Sequence, residues 1–456
     1  MVSNDTKQSI YLLTKIRFAI IKVNMMKLIG LDIGTTSICG VRMNVENGML
    51  EDSVTVNDNV WVKGKSAFEK MQNPDKIFSI VNDITKRLIT DDVGAIGVTG
   101  QMHGILYIDK KGNAISPLYT WQDGRGNEIY KDGITYAEFL NSHTGYGNVT
   151  HFYNEQNGLV PENAVCFCTI HDYIAMKLVG HTSPLVHTSD AASFGNFDID
   201  KNEFTVNCKL LPNFTDRTAI LGEYKGIPVS VAIGDNQAGF IGSGCGEDSV
   251  LFNVGTGSQI SFLSDNSTMV SGVERRPLTD GKCLSVGSSL CGGRAFAMLQ
   301  QFFNDIAKLA GADVGKMYDV MEQTAEEKGS TDLVFKTLFC GTRENPEKRA
   351  EILNLSEENF TPADFVLACL NGITDELFEY YNLCGKKATR LIGSGNAVRK
   401  TGLLRKSAEK RFGMPVQIPM FAEEAACGAA LFSYAAIEEK DVLIICESVV
   451  KFNDLR

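Results

Sequence analysis

The sequence lacks a basic excess, a long apolar segment and a regular cysteine spacing, and each absence excludes a class of protein. Its 456 residues carry a net charge of −11, which argues against a nucleic acid or an anionic membrane as the main partner. No apolar run approaches the roughly 20 residues that a membrane-spanning helix needs. The 12 cysteines show no metal-ligand spacing, so we interpret them as buried, reduced thiols of a cytoplasmic protein.

The length is sufficient for two or three domains. Charged residues interrupt the apolar stretch within residues 1–25, which fits neither a secretory leader nor a membrane span. We therefore expect an N-terminal extension, or an upstream start codon, before the fold begins at residue 26. A run of small residues ends near Gly246 and favours a domain boundary there. The expected division is 26–246 and 247–440, followed by a tail at 441–456.

A short sequence motif occurs twice, once in each expected domain. An apolar run leads to Asp32-Ile33-Gly34-Thr35-Thr36-Ser37, and a second one leads to Asn253-Val254-Gly255-Thr256-Gly257-Ser258. Such a run, followed by glycine and hydroxyl residues, predicts a buried strand that turns tightly into its neighbour. Backbone N–H groups and hydroxyls at such turns suit phosphate oxygens. The repeat indicates a duplicated fold that binds a polyphosphate.

The remaining pattern alternates between helices and buried strands. Asn73-Pro74 and Thr361-Pro362 are typical helix starts, with a capping side chain before a proline. Val93–Val98 predicts a buried strand that leads into a polar loop, where α/β folds place ligands. An Ala-rich helix is expected over residues 423–437, with room for close packing at Gly428.

Two carboxylates are candidates for phosphoryl-transfer chemistry. Asp32 lies in an apolar strand, where a carboxylate is costly unless it is paired or holds a cation, and we interpret it as a Mg²⁺-associated residue. The alternative is a carboxylate that only accepts from nearby amides. Asp235 follows a predicted strand and could orient an attacking hydroxyl and accept its proton. The alternative is an ordinary turn residue in Gly-Asp-Asn.

Three further segments carry groups that suit a polyol or a nucleotide. Gln101-Met102-His103 combines an amide, a thioether and an imidazole; the alternative is a tight loop with an incidental histidine. Trp121-Gln122-Asp123-Gly124-Arg125 adds an aromatic platform and an ion pair; the alternative is a surface Asp–Arg pair beside a core tryptophan. Gly393-Ser394-Gly395-Asn396 could let a purine or a phosphate approach the backbone. The five other histidines are interpreted as structural or solvent-facing: His143, His151, His171, His181 and His187.

Taken together and in this order, these motifs over residues 26 to about 438 resemble the FGGY family of carbohydrate kinases. The resemblance implies an α/β fold of two actin-like, ribonuclease-H-like domains with an ATP/sugar cleft between them. It implies transfer of the γ-phosphoryl group of MgATP to a sugar's terminal primary hydroxyl. ATP and Mg²⁺ are thus the expected cofactors, and a homodimer is compatible with the pattern.

The resemblance also assigns roles to residues. Asp235 matches the catalytic base, and both Asp235 and Asp32 are assigned to the metal. The sugar would be bound by Gln101, Met102, His103, Trp121, Asp123, Arg125 and Asn236. The nucleotide would be bound by Gly34, Thr35, Thr36, Gly255, Thr256, Gly257, Gly393, Gly395 and Asn396.

Within the family, Gln101–His103 is similar to the ketose kinases and Trp121–Arg125 to the sedoheptulokinases, which implies sedoheptulose as the substrate. The alternative is xylulose or another ketose or polyol. Two departures from the family pattern are Ser394 and Asn236, which stand where glycine and leucine are common. From other classes, an actin-like ATPase or a non-catalytic sugar sensor would share the fold, but the intact Asp32 and Asp235 count against the sensor.

Overall fold

The computed structural model describes most of the chain, namely residues 26–57, 59–264, 270–342 and 345–453. The expected extension, residues 1–25, lies outside these ranges. Within the described ranges, no helix combines the length and the apolar character that crossing a lipid bilayer requires. All twelve cysteines lie in the described part and are free thiols. Nine of them are buried, as predicted.

The chain forms two compact units. Of the described residues, the first contains those up to Gly244 together with Arg276–Lys282 and Glu423–Lys451. The second contains the described residues within Cys245–Arg275 and Cys283–Ala422, together with Phe452 and Asn453. Each unit is built on one mixed β-sheet with helices against it, so the predicted α/β class is confirmed.

The main sheet of the first unit combines an antiparallel meander with a parallel centre. Its strands, in spatial order, are Ile220–Tyr224, Ile227–Ser230, Val93–Gly100, Lys27–Ile33, Ser37–Asn44 and Leu50–Asn57. Lys27–Ile33 runs antiparallel to Ser37–Asn44 and parallel to Val93–Gly100. The predicted strand–turn–strand at residues 34–36 is therefore confirmed.

Helices cover both faces of this sheet. A Cβ built on Gly40 would meet the side chains of Ile84 and Leu88, so the helix Pro74–Leu88 packs on that face. Gly30 pairs with Val41, the neighbour of Gly40, in the register. Because neighbouring residues of a strand point to opposite faces, Gly30 and Gly40 face opposite sides of the sheet. Gly30 and Gly97 meet the helix Glu424–Glu438 instead: a Cβ on either would lie 1.8 Å from a carbonyl oxygen of that helix.

The Ala-rich helix was expected in the C-terminal domain, whereas the contacts place Glu424–Glu438 in the first unit. The cause is the set of small residues on both sides. A Cβ on Gly428 would lie 1.7 Å from the carbonyl oxygen of Ala238, in the helix Asp235–Gly242. The expected tail is also structured, with a helix at Val442–Val449 and a short strand at Phe452–Asn453.

The second unit repeats this arrangement of strands. The spatial order is Val273–Pro277, Cys283–Ser289, Ser258–Leu263, Ser249–Val254, Arg390–Ser394, Val416–Pro419 and Phe452–Asn453. Ser249–Val254 is antiparallel to Ser258–Leu263 and parallel to Arg390–Ser394. The turn at residues 255–257 therefore has the same place in its sheet as residues 34–36 have in theirs. The helices of this unit are Gly293–Leu309, Tyr318–Lys328, Pro362–Leu383, Asn396–Lys400 and Gly402–Phe412.

Shorter elements complete the first unit. Its other helices are Tyr136–Phe139, Gly147–Gln156, Ile170–Leu178 and Thr188–Ser193, with a 3₁₀ turn at Gly124–Asn127. Its minor strands are Trp61–Val62, Met71–Gln72, Leu106–Ile108, Leu118–Tyr119, Ile129–Lys131, Ile134–Thr135, Cys166–Cys168, Leu185–His187, Phe197–Asp198, Glu203–Phe204, Asn213–Thr215 and Ile233–Gly234. One minor pair lies in the second unit, at Val334–Lys336 and Glu351–Leu353.

Both predicted helix starts are confirmed. The Asn73 side chain accepts a hydrogen bond from the Lys76 amide at the start of Pro74–Leu88. Thr361 accepts from the Asp364 amide at the start of Pro362–Leu383. These caps satisfy backbone donors that would otherwise have no partner in the first helical turn.

Candidate functional site

Three of the predicted residues meet at one edge of the first unit's sheet. Asp32 lies beside Thr99 in the parallel register, and Ile233 lies beside the same Thr99 from the other side. Asp32 and Asp235 thus belong to the carboxyl ends of strands that flank the strand leading into Gln101. Ligands bind at this edge in open α/β sheets.

The Asp32 side chain is half-buried near the end of its strand. Burial, together with the negative charge of Asp235, raises the pKa of Asp32 to about 7. The contribution of the Asp235 charge shows that the two carboxylates repel each other when both are ionised. A divalent cation relieves that repulsion, and carboxylate oxygens are the ligands that Mg²⁺ prefers. The donor set at this edge therefore fits Mg²⁺.

Asp235 is the first residue of the helix Asp235–Gly242, so it lies at a helix start rather than in an isolated turn. The predicted strand before it is broken into two pieces, Ile227–Ser230 and Ile233–Gly234. The Asp235 side chain is open to solvent. Although the side chain is exposed, the surrounding protein displaces part of its hydration and raises its pKa, and the positive charges of His171 and Arg276 oppose that rise. An accessible carboxylate of raised basicity can accept a proton from a hydroxyl.

The loop after the central strand holds the three predicted sugar residues in different environments. Gln101 is buried, and its Nε2 donates to Gln72 Oε1 at 2.9 Å. Met102 is buried, and a Cβ on Gly234 would lie 2.7 Å from its sulfur. His103 is half-buried, stacks on the Tyr146 ring and has a φ of 73°. A left-handed conformation at a non-glycine residue is costly and clusters at functional sites.

His103 therefore has the most accessible of these three side chains. Its Nδ1 lies 2.8 Å from the Ser193 carbonyl oxygen, which can only accept, so Nδ1 carries the proton. In the neutral ring this makes Nε2 the acceptor nitrogen. Contact between this loop and a sugar stays a prediction, and His103 is its most direct candidate.

The first turn is bonded to both predicted sugar segments. The Thr35 hydroxyl accepts from Trp121 Nε1 at 2.9 Å and lies 3.4 Å from Gln101 Oε1. The backbone carbonyl of Thr35 accepts from Gln72 Nε2 at 2.8 Å. Thr35 was assigned to the nucleotide, but its hydroxyl is engaged with the side chains assigned to the sugar. Thr36 is exposed and Gly34 is half-buried.

The ion pair of the second sugar segment is internal, and its tryptophan is at the surface. Asp123 and Arg125 are fully buried, whereas Trp121 is 46% exposed. Both Asp123 oxygens accept from the Arg125 guanidinium, at 2.7 and 3.1 Å, and one also accepts from the Lys70 amide. The alternative of a surface ion pair beside a core tryptophan is therefore wrong in both respects. The enclosed pair supports the loop that presents Trp121, and its direct contact with a sugar stays a prediction.

The second turn, in the second unit, is supported by backbone. The Gly293 amide donates to the Gly255 carbonyl and the Arg294 amide to that of Thr256, at 2.9 and 3.1 Å. Gly293 is the first residue of the 17-residue helix Gly293–Leu309. The positive end of that helix dipole points to the turn and favours an anion there. The Gly292-Gly293 pair was not singled out in the sequence, although paired glycines before a helix are a usable signal.

The segment Gly393–Asn396 contains one glycine that packs in the core and one with a left-handed backbone conformation. Gly393 lies in the strand Arg390–Ser394 and packs against valine and isoleucine side chains, so it belongs to the core. Gly395 has a φ of 85°, and a Cβ there would lie 2.8 Å from Asn253 Oδ1. Asn396 begins the helix Asn396–Lys400. Asn253, which corresponds to Asp32 in the second motif, therefore lies against the turn at Gly395.

The sequence interpretation missed a functional candidate in His171. This residue is fully buried, and its Nε2 lies 2.8 Å from Asp190 Oδ1. Burial alone would lower the pKa of His171, but the Asp190 carboxylate outweighs it and raises the pKa to about 9. The resulting positive charge acts on both Asp32 and Asp235. The available signal was His171-Asp172 within an otherwise apolar helix.

Asp172 joins this buried group, with ligand-type atoms of the three residues within 4.8 Å of one another. Burial and the charge of Asp190 raise the pKa of Asp172. His171, His151 and His187 are buried, whereas His143 and His181 are exposed. The expectation of structural or solvent-facing histidines describes their locations but not the charge of His171.

Residues 27–242 match the model of the FGGY family of carbohydrate kinases, N-terminal domain. The chain is 26% identical to a sedoheptulokinase of Mus musculus, in an alignment that covers 88% of this chain and 96% of the relative. It is 22% identical to a xylulose kinase of Staphylococcus epidermidis, with 86% and 83% covered. Its fold is similar to that of a ligand-bound xylulose kinase from Lactobacillus acidophilus, with a TM-score of 0.79, 18% identity, and 94% and 93% of the two chains covered.

Proposed function

We propose that this chain, a carbohydrate kinase of the FGGY family, transfers the γ-phosphoryl group of ATP to the terminal primary hydroxyl of a ketose, with sedoheptulose as the first candidate. The similarity to a sedoheptulokinase over nearly the full length of both chains supports this choice. Xylulose is the second candidate, because a xylulose kinase is also similar over most of both chains.

The observation that carries the proposal is that Asp32, Gln101 and Asp235 lie at or directly after the ends of three neighbouring strands of one sheet. Phosphoryl transfer depends on positioning and on electrostatic stabilisation more than on covalent chemistry. An accessible carboxylate beside a polar loop supplies the positioning of an alcohol. A second carboxylate beside it supplies a place for the cation that accompanies ATP.

In the proposed reaction, Asp235 accepts a hydrogen bond from the sugar hydroxyl and takes its proton as the new phosphate ester forms. Its raised basicity favours that proton transfer. Asp32, with Asp235, would hold Mg²⁺, which when bound offsets the negative charge of the phosphates. The positive charge of the His171 imidazolium compensates the negative charges of Asp32 and Asp235.

The sugar would lie against His103 and the exposed ring of Trp121. An acceptor nitrogen on His103 suits a hydroxyl donor, and an aromatic face suits the C–H face of a sugar. Gln101 and Thr35 hold the two segments through the bonds described above. Asp123 and Arg125 act on the sugar by fixing the loop that carries Trp121.

The phosphates of ATP would be bound by the Gly255–Gly257 turn, which lies at the start of the helix Gly293–Leu309. Gly395 and Asn396 would contact the nucleoside part. Gly34, Thr36 and Asn236 are assigned to the nucleotide and the sugar by resemblance, and they remain proposals that mutation can test.

The test is a coupled ADP-release assay on a panel of ketoses, ketoheptoses and polyols. We expect ADP release that depends on a ketose and is fastest with sedoheptulose. Release that is independent of any sugar would indicate an ATPase and would contradict the proposal. A faster rate with xylulose would replace the first candidate by the second.

The base is tested with Asp235→Asn, which we expect to lower kcat by about 10³-fold or more while the protein still folds. The matched control is Asp319→Asn, an exposed aspartate in the first turn of another helix. Unchanged circular dichroism with lost turnover supports the assignment. Turnover within tenfold of the wild type removes Asp235 from the mechanism.

A further inference from the structure

The short helix Thr188–Ser193 contacts both the strand Ile233–Gly234, directly before the proposed base, and the proposed sugar loop. The Gly234 amide donates to Ser189 Oγ at 3.1 Å, one residue before Asp235. The His103 amide donates to Ser193 Oγ at 3.2 Å, and His103 Nδ1 lies 2.8 Å from the Ser193 carbonyl oxygen. Ser189 and Ser193 are four residues apart, so both lie on one face of the helix.

The direction of the Ser189 hydrogen bonds is fixed by His187. His187 Nδ1 accepts from the Ser189 amide at 3.2 Å and lies 3.0 Å from Ser189 Oγ. Burial lowers the pKa of His187 to about 4, so the ring is neutral and Nδ1 is an acceptor. The Ser189 hydroxyl therefore donates to His187, and its lone pair remains for the Gly234 amide.

The Ser193 hydroxyl is fixed in the same way. It donates to the Asp190 carbonyl oxygen at 2.8 Å, so its lone pair is directed to the His103 amide. Ser189, Asp190 and Ser193 are all buried. A buried hydroxyl whose proton is already donated holds the group that donates to it in one position. Any other position would leave a buried polar group without a hydrogen-bond partner.

The helix itself is anchored by Asp190, whose carboxylate is bonded to His171. Both members of this pair are fully buried. Removing one member of a buried charged pair is strongly unfavourable, since it leaves the other uncompensated. The anchor therefore restricts the position of the whole helix against the sheet edge.

We infer that Ser189 and Ser193 are positioning residues, which place the Asp235 base and the His103 sugar loop respectively on one rigid helix. This inference rests on the proposed kinase function. It adds that substrate affinity and turnover depend on two buried hydroxyls that are not among the residues assigned to either substrate. Ser193 acts through His103 and Ser189 acts through Gly234.

The test uses the full chain and steady-state kinetics with the best ketose and ATP. Ser193→Ala is expected to raise the sugar KM at least fivefold, with the ATP KM unchanged and kcat within twofold. Ser189→Ala is expected to lower kcat at least fivefold, with the sugar KM within twofold. Asp190→Asn loosens the anchor and is expected to change both parameters.

The matched control is Ser433→Ala, because Ser433 is equally buried and bonds only to its own helix. It is expected to leave both parameters unchanged. Ser193→Cys and Ser189→Cys keep the side-chain size and replace the hydroxyl by a weak hydrogen-bonding group. They are expected to reproduce the respective alanine effects, and they serve as the test if an alanine variant does not fold.

The outcomes separate this inference from the proposed function. A wild-type protein that does not phosphorylate any sugar overturns the proposed function and the inference with it. An active wild type whose serine variants change neither parameter, or change the same parameter, overturns the inference alone. A raised sugar KM in the Ser193 variants, together with a lowered kcat in the Ser189 variants, supports the inference.

Discussion

The two turns that repeat in the sequence have the same place in their sheets and different surroundings. The first, at residues 34–36, is held by side chains: the Thr35 hydroxyl is bonded to Trp121 and lies near Gln101. The second, at residues 255–257, is held by backbone amides at the start of the helix Gly293–Leu309. Asp32 precedes the first turn and Asn253 the second.

This difference agrees with the proposed division of roles between the two turns. A turn beside a carboxylate and bonded to amide and indole side chains suits a hydroxylated substrate and a cation. A turn with no carboxylate before it, at the positive end of a helix dipole, suits phosphate oxygens. The resemblance assigned both turns to the nucleotide, and the contacts give the first a second connection to the sugar loops.

The strongest test of the difference between the two turns is to exchange the residues that precede them, Asp32 and Asn253. We expect Asp32→Asn to lower kcat about 100-fold or more, because it removes a carboxylate from the proposed Mg²⁺ site. We expect Asn253→Asp to raise the ATP KM about tenfold, because a new negative charge would repel the phosphates. Steady-state kinetics at several Mg²⁺ concentrations measure both. Equal effects of the two exchanges on one parameter would show that the turns are equivalent.

The next largest effect is expected from the helix that supports the second turn. A Cβ on Gly293 would lie 2.5 Å from the Gly255 carbonyl oxygen, so Gly293→Ala must displace the turn. We expect the ATP KM to rise about tenfold and the sugar KM to stay the same. Gly402→Ala is the control, because Gly402 also begins a helix and its Cβ would have only ordinary contacts. A change in the sugar KM alone would contradict the assignment.

The threonines at equivalent positions sharpen the comparison. Thr35→Val removes a hydroxyl that holds Trp121, and a lost hydrogen bond of about 1 kcal/mol corresponds to roughly a fivefold rise in the sugar KM. Thr256→Val, in the exposed second turn, is expected to raise the ATP KM by a similar factor. Substrate titrations of the two variants measure this. If Thr35→Val changes the ATP KM instead, the first turn belongs to the nucleotide alone.

The last and smallest predicted effect is on stability, and it concerns the charged His171 under the first sheet. Its pKa is raised from 6.5 to about 9, so the stabilisation is complete below pH 6.5 and is lost as the pH rises through 9. The upper limit is about 3 kcal/mol. We expect the difference in urea midpoint between wild type and His171→Gln to decline between pH 6.5 and 9. The exposed His181→Gln is the control, and a pH-independent difference would contradict the ion pair.

Much of the local structure could be predicted because it depends on neighbouring residues. Proline after a capping side chain gave the correct starts of Pro74–Leu88 and Pro362–Leu383. The apolar runs before Gly34 and Gly255 gave both hairpins. The helix Glu424–Glu438 was also predicted, but its unit was not, since that depends on glycines of distant strands and of the helix Asp235–Gly242.

The site was predicted in part for the same reason. Asp32 lies near the end of a recognisable strand and Asp235 directly follows another, so their shared edge could be expected. The burial of Asp123 and Arg125 and the exposure of Trp121 reversed one interpretation, because the partners of the ion pair include Lys70, which is remote in sequence. His171 was missed because its carboxylate partner is 19 residues away along the chain.

The sequence by itself determined the α/β class, the two hairpin turns, the helix caps and the types of residue available for phosphoryl transfer, since each follows from the side chains of a short segment. Only the tertiary structure decided which glycines accept a crossing helix, which histidine is charged, and which hydroxyls connect the loop of His103 to the residues before Asp235. Those features arise from contacts between distant segments, where burial and proximity change the energy of a group that its neighbours in the chain leave undetermined.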